Sequence, residues 1–403
     1  APGFIDLHAH GQLPENYRLQ AQDGVTSTLE LEIGVNPVAP WYAERAGRSL
    51  IHYGASSGHV AASMTVLSDT GTFLPRDAAT RLRPTPAQME GIESLVRRGL
   101  DEGAVGIGLG IAYLPQSSRQ EIYDLFRLAA ARQVPVFVHM RHAGVTDPGG
   151  VLEALQEVLS DAAATGAPLH IVHINSSSGP LLPVSLQMIE GARRSGLDVT
   201  TESYPYTAGQ TRLDSAIFDD GWQEKFGITY KDLQWVATGE RLTAETFARY
   251  RKQGGTAIIH SMTEDMIRLA MSHPMVMIAS DSFLSEGKGH PRSAGTFSRV
   301  LGRYVREQKA LTLMDAIRKM TLLPAQRLEK AVPAMRTKGR LRVGADADLT
   351  LFDPDRVLDQ ATFDHPARPS QGIVHVLVDG VFVVRDGKLV EGVAPGRPLR
   401  RPS

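Results

Sequence analysis

Short β-rich runs alternate along this chain with amphipathic stretches that carry helix start signals. Such alternation is typical of βα units, in which helices connect successive parallel strands and cover the sheet. Nine segments have the length and composition of strands, which is enough for an eight-stranded barrel with one strand in addition. These segments are residues 3–7, 26–31, 59–66, 104–109, 134–138, 169–172, 199–203, 256–259 and 275–279. The predicted fold class is therefore α/β with a parallel sheet.

Two helix starts are marked by their sequences. Thr85-Pro86-Ala87-Gln88 has the form of a capping box with proline at the first helical position, and apolar residues follow at helical spacing. The segment from Ser118 to Glu121 has the same form. We predict that both helices pack on the outside of the barrel, because each carries one apolar stripe.

The chain divides into two parts of different character. Residues 1–337 carry the βα array, with a predicted insertion over residues 210–250 that lies beside the site as a lid. Residues 338–403 alternate apolar and polar positions and turn at Asp379-Gly380 and Asp386-Gly387, which predicts β-hairpins. We interpret 397–401 as a solvated tail. Because the chain starts on Ala1 directly before its first strand, we expect that preceding residues are missing.

The composition excludes several classes of function. Lys and Arg total 43 against 44 Asp and Glu, so the net charge of −1 provides no field that would attract nucleic acid or an anionic membrane. Cysteine is absent, which excludes thiolate nucleophiles and leaves only N and O atoms as metal ligands. No apolar run approaches the roughly 20 residues that span a bilayer, and no signal peptide is evident. We predict a soluble, cytoplasmic protein and leave a homo-oligomer open.

Metal-competent side chains occur at the ends of several predicted strands. His8 and His10 follow the first strand, and residues two apart in an extended chain point to the same side. Strand ends of a closed parallel barrel meet at one mouth, where active sites are built. Four imidazoles and two carboxylates suit Zn, Fe, Co or Mn, and six ligands overfill a single ion that must keep an open position. We therefore predict two divalent ions, with zinc as the expected metal, held by His8, His10, Glu32, His139, His173 and Asp281.

Longer motifs give the chain a family resemblance. Residues 2–10 (PGFIDLHAH) and 344–349 (GADADL) resemble the opening and closing signatures of the amidohydrolase superfamily. Further motifs resemble the N-acyl-D-amino-acid deacylases of that superfamily, and they lie at residues 108–115, 139–141, 204–209 and 290–292. The resemblance implies a distorted TIM (β/α)8 barrel with a small β-sandwich portion. It also implies hydrolysis of the amide bond of a small N-acyl amino acid, of D configuration.

The resemblance assigns roles to the six ligands. His8, His10 and Asp281 would hold one ion, His139 and His173 the other, and the ligand of the second strand would bridge them. We place Glu32 at this bridge, where the best-known members carry cysteine. Asp281 would also take a proton from the attacking water and return it to the leaving nitrogen.

Candidate substrate contacts follow from the same motifs. Arg292 is placed to hold a substrate carboxylate through two parallel hydrogen bonds. Asn175 stands where related deacylases carry a lysine that contacts this carboxylate, so the identity of the substrate is left open. Arg141 is either a substrate contact or a support for a ligand. Three tyrosines could donate to the carbonyl oxygen or to the carboxylate: Tyr113, Tyr204 and Tyr206.

Three other interpretations compete with this one. A cyclic-amide or lactone hydrolase of the same superfamily would use the same ligands, and an inactive scaffold homologue would usually have lost some of them. Gly54-Ala55-Ser56-Ser57-Gly58 fits the nucleophile pattern of serine hydrolases. We reject that third interpretation because we expect a β-rich run, rather than a helix, to follow. The other histidines are interpreted as structural, with His260 left open.

Overall fold

Eight parallel strands form the centre of the computed structural model, which describes residues 1–402. All strands of the described residues, inside and outside this barrel, are in chain order β1 (Phe4–Asp6), β2 (Val25–Val35), β3 (His52–Gly58), β4 (Ile107–Gly110), β5 (Val136–His139), β6 (Leu169–Ile171), β7 (Val199–Ser203), β8 (Gly209–Arg212), β9 (Leu233–Trp235), β10 (Thr256–Ile259), β11 (Val276–Ile278), β12 (Leu284–Ser285), β13 (Lys288–Gly289), β14 (Leu349–Phe352), β15 (Ile373–Val378), β16 (Val381–Arg385) and β17 (Lys388–Leu389). The barrel order is β1-β2-β3-β4-β5-β6-β7-β11. The predicted α/β barrel is confirmed.

The barrel closes between its first and last strands. Ala9 forms a parallel bridge with Ser282, and the amide of Asp281 donates to the carbonyl of His8 at 2.7 Å. Below this seam the Asp6 carboxylate accepts hydrogen bonds from the amide and the hydroxyl of Ser280. The segments that follow β1 and β11 are therefore held side by side at the mouth of the barrel.

Seven of the nine predicted strands are barrel strands, and two predictions need correction. Residues 59–66 form a helix, while β3 immediately before them was missed. That helix is buried on most sides, so its apolar residues show no one-sided stripe, and its valines and threonine suggested a strand. Small residues with low strand propensity make up much of β3. Residues 256–259 are a strand, but β10 lies outside the barrel.

The helices connect the barrel strands and cover them. They are α1 (Pro14–Gln22), α2 (Val38–Arg45), α3 (His59–Leu67), α4 (Ala78–Arg81), α5 (Pro86–Asp101), α6 (Arg119–Arg132), α7 (Val151–Thr165), α8 (Ile174–Ser178), α9 (Leu182–Arg194), α10 (Trp222–Phe226), α11 (Ala244–Gln253), α12 (Glu264–Ser272), α13 (Arg292–Arg299), α14 (Leu313–Met320) and α15 (Leu322–Leu328). A π-helix over Val300–Glu307 continues α13. Five short 3₁₀ segments complete the set: Ile111–Tyr113, Gly179–Leu181, Ala216–Phe218, Tyr230–Asp232 and Pro333–Arg336.

The two predicted helix starts are both present. Thr85 and Gln88 form the reciprocal capping box at α5, as predicted. At α6 only half of the box forms, since the Ser118 hydroxyl accepts from the amide of Glu121. The Glu121 carboxylate instead receives a 2.7 Å hydrogen bond from Nε2 of the buried His59. A buried imidazole on α3 thus competes successfully for the side chain that would have completed the cap.

A small antiparallel sheet with its own core forms the predicted insertion. Its strand order is β8-β10-β9, so the unit runs from Gly209 to Ile259 and is slightly longer than the predicted 210–250. Its core contains Phe218, Trp222 and Phe247, whose rings contact one another. This packing fixes α10 in position beside the barrel mouth.

The C-terminal part is a four-stranded antiparallel sheet, β14-β15-β16-β17. The hairpins predicted at Asp379-Gly380 and Asp386-Gly387 are confirmed, and all four turn residues have positive φ, as a tight hairpin of this kind requires. Within residues 1–402 this part is one sheet, whereas the prediction was a sandwich portion.

The prediction of a solvated tail at 397–401 is wrong. The Tyr53 amide donates to the carbonyl of Arg397, and the Leu399 amide donates to the carbonyl of Tyr53 at 2.7 Å. The Leu399 side chain is buried, and the Arg401 amide donates to the carbonyl of Gly103. The segment is anchored because its backbone pairs alongside Tyr53 of β3, as a parallel strand would, and because it buries an apolar side chain.

Asp348 joins the barrel to the C-terminal sheet. Its carboxylate accepts from Nε2 of His52 in β3 at 3.0 Å, from Nζ of Lys338 at 2.6 Å and from the amide of Asp379 at 2.8 Å. Burial alone would raise the pKa of Asp348, but its partners His52 and Lys338 hold the pKa well below the ordinary value. The final acid of the closing motif is thus a structural anchor.

We expect Asp348→Asn to lower the free energy of unfolding by about 3 kcal/mol, because it removes the buried carboxylate that pairs with Lys338 and His52 and leaves the buried lysine only the more exposed Asp346. The carboxylate's contribution is fully present above about pH 4, the unfolded pKa, and is lost as pH falls through the lower folded pKa. Urea unfolding of both proteins from pH 7 to pH 3 should therefore show a shrinking difference. Asp346→Asn is the control: Asp346 contacts Lys338 at 2.9 Å but is 32% exposed, so a cost below about 1 kcal/mol is expected.

Candidate metal centre

A bulge in β2 carries Glu32 into the barrel mouth. Pairing of β2 with β3 runs from Glu30 opposite Ala55 to Val35 opposite Ser57, so residues 31–34 face Ser56 alone. Gly34 sits at the end of this bulge with φ +67, and a Cβ there would lie 2.5 Å from the Ser56 hydroxyl. The Ser56 hydroxyl donates to the carbonyl of Leu31 at 2.7 Å. The close backbone approach holds Glu32 at the centre of the site.

One oxygen of Glu32 faces the two histidines that follow β1. Oε2 lies 3.2 Å from Nε2 of His8 and 3.0 Å from Nε2 of His10. Oδ1 of Asp281 lies 3.5 Å from each of the same two nitrogens. His8, His10 and Asp281 thus offer three ligand atoms that lie within 4.8 Å of one another, the spacing of a metal site.

The other oxygen of Glu32 faces a second pair of histidines. Oε1 lies 2.6 Å from Nδ1 of His139, which ends β5, and 2.9 Å from Nε2 of His173, which follows β6. The two imidazole nitrogens lie 3.1 Å apart. His8, Glu32 and His173 form a second group whose ligand atoms lie within 4.8 Å. The carboxylate of Glu32 therefore stands between two half-sites, as a bridging ligand would.

Two buried carboxylates orient the first histidine pair. Glu202 in β7 accepts from Nδ1 of His8 at 2.6 Å, and Glu30 accepts from Nδ1 of His10 at 2.8 Å. In neutral imidazoles with protons on Nδ1, both Nε2 atoms carry lone pairs, and these atoms lie only 3.1 Å apart. Two converging lone pairs beside two carboxylates repel unless a cation lies among them. The donor set therefore fits divalent ions.

The charges of the site favour bound cations. Burial alone would lower the pKa of His8, but Asp281, Glu202 and Glu32 raise it well above the ordinary value. Burial alone would raise the pKa of Glu32, but His8 and His139 hold it well below the usual range. In both cases the site favours positive charge on its nitrogens and negative charge on its oxygens, which is the arrangement that bound metal ions satisfy.

Two of the candidate ligands have unusual backbone conformations. His173 has φ +31 and Asp281 has φ +51, both in the left-handed region that residues with side chains seldom adopt. The amide of His173 donates to Glu202, and the amide of Asp281 donates to His8, which holds both residues in place. Such strain is concentrated at functional sites, because the surrounding structure must hold it.

A cavity of about 190 Å³ opens directly above the six side chains. It is lined by five of them, with His8 lying beneath, and by parts of the insertion and the loops around the mouth. Of the predicted substrate contacts, Tyr113, Tyr204 and Arg292 line this cavity. Burial raises the pKa of Tyr204 to about 12, and burial and Glu32 raise the pKa of Tyr113 well above its ordinary value, so both hydroxyls keep their protons and can donate.

Arg292 adjoins the metal centre through Asp281. Its Nη2 lies 2.9 Å from Oδ2 of Asp281, and its guanidinium lies over the ring of Tyr204, 4.4 Å from the ring centre. The side chain is 1% exposed, and its Nε and Nη1 have no hydrogen-bond partner within residues 1–402. Unpaired donors on a buried guanidinium are costly, so this arrangement indicates a site for an anion.

Comparison with known proteins agrees with this geometry. The model of the amidohydrolase family matches residues 1–384. The chain belongs to the amidohydrolase family. N-acyl-D-glutamate deacylase of Alcaligenes xylosoxydans xylosoxydans is 31% identical over the whole chain and 86% of the relative's length. D-aminoacylase of the same organism is 30% identical over the whole chain and 87% of its length. The predicted family resemblance is confirmed.

Solved structures resemble this amidohydrolase over nearly its whole length. N-acyl-D-glutamate deacylase of Bordetella bronchiseptica, complexed with zinc and a phosphonate mimic of the tetrahedral intermediate, aligns with TM-score 0.82 and 30% identity over 99% of this chain and 88% of that one. A D-aminoacylase structure described as having a binuclear metal centre aligns with TM-score 0.82 and 26% identity, over 99% of this chain and 89% of that one. Dihydropyrimidinase of Brevibacillus agri, at 18% identity and TM-score 0.61, shares the fold.

Three other predicted substrate contacts of this amidohydrolase lie outside the cavity wall. Arg141 donates to both oxygens of Glu157 and to the carbonyl of Ser117, the arrangement of a structural support. The Asn175 amide donates to the carbonyl of Tyr204, and Tyr206 donates to Asp359. The structure thus brings together the six candidate ligands and three of the predicted substrate contacts, while Arg141, Asn175 and Tyr206 lie outside the cavity wall.

The reason for rejecting a serine nucleophile was wrong, although the rejection stands. A helix, α3, does follow Gly54–Gly58. However, Ser56 is buried, and its hydroxyl donates to the carbonyl of Leu31 in the β2 bulge. His260, which was left open, is not part of the cavity wall, since its Nε2 is bonded to Gln234 and its ring packs on Phe363.

Glu30 and Glu202 were missed by the sequence analysis. Both are carboxylates within otherwise apolar or small-residue strands, β2 and β7, at positions that alternate toward the barrel interior. A buried strand rarely contains an acid unless that acid is paired, so this signal was available. Within residues 1–402, no helix is long and apolar enough to cross a bilayer.

Proposed function

We propose that this amidohydrolase cleaves the amide bond of N-acyl amino acids of D configuration, releasing a carboxylate and a free amino acid. The observation that carries the proposal is the buried Arg292, whose Nε and Nη1 lack partners within residues 1–402 and whose Nη2 contacts Asp281 at 2.9 Å. An N-acyl amino acid has a carboxylate close to its amide, as this arrangement requires. The D configuration is inferred from the relatives, which are named for D-amino-acid substrates.

Two divalent ions, with zinc as the expected metal, complete the proposed site. His8, His10 and Asp281 would hold one ion, His139 and His173 the other, and Glu32 would lie between them. Bound ions of this kind polarise a carbonyl and lower the pKa of water from about 16 to near 7. The two relatives described with zinc and with a binuclear centre support this assignment.

Asp281 is proposed as the proton carrier. Burial alone would raise its pKa, but Arg292 and His8 lower it, so the carboxylate is ionised and ready to accept a proton. In the proposed reaction it takes the proton from the attacking water and delivers it to the leaving nitrogen. Arg292 holds the same carboxylate through Nη2, which positions the base next to the bound substrate.

Arg292, Tyr204 and Tyr113 are proposed to orient the substrate. An unpaired donor of the Arg292 guanidinium would bind the α-carboxylate, which places the amide over the metal centre. Tyr113, whose hydroxyl lies 3.1 Å from that of Thr211 and whose ring packs on His139, is placed to donate to the carbonyl oxygen as negative charge develops. The ring of Tyr204 packs against the guanidinium of Arg292 and so fixes its orientation in the cavity wall.

We expect Arg292→Met to remove the preference for a free α-carboxylate. The charged donor for the carboxylate is lost, so the ratio of kcat/KM for an N-acetyl-D-amino acid to that for its carboxamide should fall by about 100-fold. The ratio is measured because loss of the Asp281 partner will lower kcat for both substrates.

Arg141→Met is the matched control for this ratio. Its guanidinium is already bonded to Glu157, so the variant should lose stability and keep the wild-type preference. An unchanged ratio in Arg292→Met would contradict carboxylate binding by Arg292. A lowered ratio in Arg141→Met would show that Arg141 acts on the substrate after all.

A cyclic-amide hydrolase is the second candidate. It is favoured by Asn175, which stands in place of the lysine of related deacylases and is turned toward the Tyr204 carbonyl. The two candidates are separated by the rates at which metal-loaded protein opens a dihydropyrimidine or hydantoin ring and hydrolyses N-acetyl-D-amino acids. Faster ring opening would overturn the deacylase proposal.

A further inference from the structure

The charges on the cavity wall are unevenly distributed. The wall contains two carboxylates, Glu32 and Asp281, and both belong to the candidate metal centre. Beyond that centre, within residues 1–402, it contains only cationic charged groups, namely Arg292, Arg212 and Lys225. A cavity with an excess of one charge attracts ligands of the opposite charge. The substrate should therefore carry more negative charge than the α-carboxylate alone.

The three cations differ in whether they have a partner. Arg292 is paired with Asp281, and Arg212 is paired with Asp214 at 2.8 Å. The Lys225 ammonium has no hydrogen bond and no ion pair within residues 1–402, and it lies 5.6 Å from the centre of the Phe226 ring. Burial lowers the pKa of Lys225, and no neighbouring carboxylate offsets this effect. Lys225 is thus a half-buried cation in the cavity wall that lies near an aromatic ring and, within residues 1–402, is paired with no carboxylate.

The backbone holds Lys225 in place. It lies on α10, next to Trp222, which is buried in the core of the insertion and stacks on Phe247. The carbonyl of Lys225 accepts from the amide of Val145, and a Cβ at Gly144 would lie 2.0 Å from that carbonyl oxygen. The loop after β5 therefore packs directly on α10. A cation on such a fixed element is suited to specific recognition.

We infer that Lys225 binds a second carboxylate of the substrate, so that the preferred substrates are N-acyl amino acids with two negative charges. This inference rests on the proposed function. The second carboxylate could belong to the amino-acid side chain, as in a dicarboxylic amino acid, or to the acyl group, as in a succinyl group. Both sources present the same chemistry to the ammonium, and the substrates tested must separate them.

The test compares matched substrates on metal-loaded wild type, Lys225→Met and Lys225→Arg. N-acetyl-D-glutamate is compared with N-acetyl-D-glutamine, which has the same shape without the side-chain charge. N-succinyl-D-leucine is compared with N-acetyl-D-leucine for the acyl group. We expect Lys225→Met to lower kcat/KM about 10- to 100-fold for the doubly charged substrate of one pair and less than about 3-fold for the singly charged partner in that pair. Lys225→Arg should retain most of the preference.

Lys231→Met is the charge control. Lys231 is an exposed cation of the same insertion that does not line the cavity, so the variant has the same net charge as Lys225→Met. It should keep the wild-type preference. An equal loss in both variants would mean that the insertion acts by its overall charge, and no loss in Lys225→Met would overturn the inference.

A binding measurement separates this inference from the proposed function. N-methanesulfonyl-D-glutamate and its glutamine analogue carry a sulfonamide in place of the scissile amide and are not hydrolysed. If wild type cleaves no N-acyl amino acid but binds the glutamate analogue at least 10-fold more tightly, and Lys225→Met loses this difference, the anion site stands and the deacylase proposal falls. If deacylation occurs but wild type binds both analogues equally, Lys225 is not an anion site.

Discussion

Asp281→Asn is expected to lower kcat by about 10³- to 10⁴-fold while leaving the fold intact. The carboxamide cannot take up a proton from water, and general acid–base catalysis alone contributes about 10²- to 10⁴-fold. The change also removes one candidate metal ligand and the ion pair with Nη2 of Arg292. The rate with an N-acetyl-D-amino acid, together with the circular dichroism spectrum and the melting temperature, measures both parts of the prediction.

Asp198→Asn is a suitable control for this variant. Asp198 also pairs with an arginine, Arg327, at 2.8 Å, but it lies outside the cavity wall. The same chemical change there should leave kcat within a few-fold of wild type. A wild-type kcat in Asp281→Asn would exclude Asp281 as the proton carrier, whereas an unfolded variant would show that its role in closing the barrel dominates.

Glu32→Gln should reduce bound metal from two ions per chain to one or fewer, and turnover by at least roughly 100-fold. Each oxygen of Glu32 faces a different pair of histidines, whereas a glutamine side chain offers one acceptor oxygen and directs an NH₂ group at the other pair. Elemental analysis after dialysis against a fixed zinc concentration measures the stoichiometry. Loss of a ligand should weaken binding by more than the 10- to 100-fold that is typical for supporting residues.

Glu121→Gln controls for the loss of a buried glutamate. Glu121 is also buried and bonded to a histidine, His59, but it lies between α3 and α6, away from the cavity. It should lose stability and keep two ions. Two fully bound ions in Glu32→Gln would rule out the bridging role, and metal loss in Glu121→Gln would point to general destabilisation as the cause.

The sequence predicts the barrel and the convergence of the six ligands because both depend on local patterns. Five of the candidate ligands lie at or just after a strand end, and parallel strands bring such ends together. Glu32 was predicted to follow a strand over 26–31, but it lies inside β2, where the bulge carries it to the same place. The missed β3 shows the limit of this reasoning. Its small residues have little strand propensity. They are extended because the β2 bulge packs directly on Ser56 and on the backbone of Gly58. That requirement is set by tertiary structure and is invisible in a local pattern.

The substrate contacts were less predictable than the ligands. Arg141 follows a ligand closely in sequence, yet Glu157 on α7 draws its guanidinium away from the cavity. Lys225 was not singled out, because an insertion without a regular pattern gives no indication of which side chains face the barrel. Such assignments depend on how two separately folded units pack, and this packing is decided by contacts between residues far apart in the chain.

The seam between β1 and β11 sets the order in which the protein can become active. The Asp6 carboxylate and the Ser280 amide that it accepts from are 274 residues apart, so His8 and Asp281 meet only after most of the polypeptide has been synthesised. During translation the early histidines and acids remain separate, and contacts of such long range form slowly. We therefore expect metal to enter as a late step of folding, after the segment that carries Asp281 has joined the first strand.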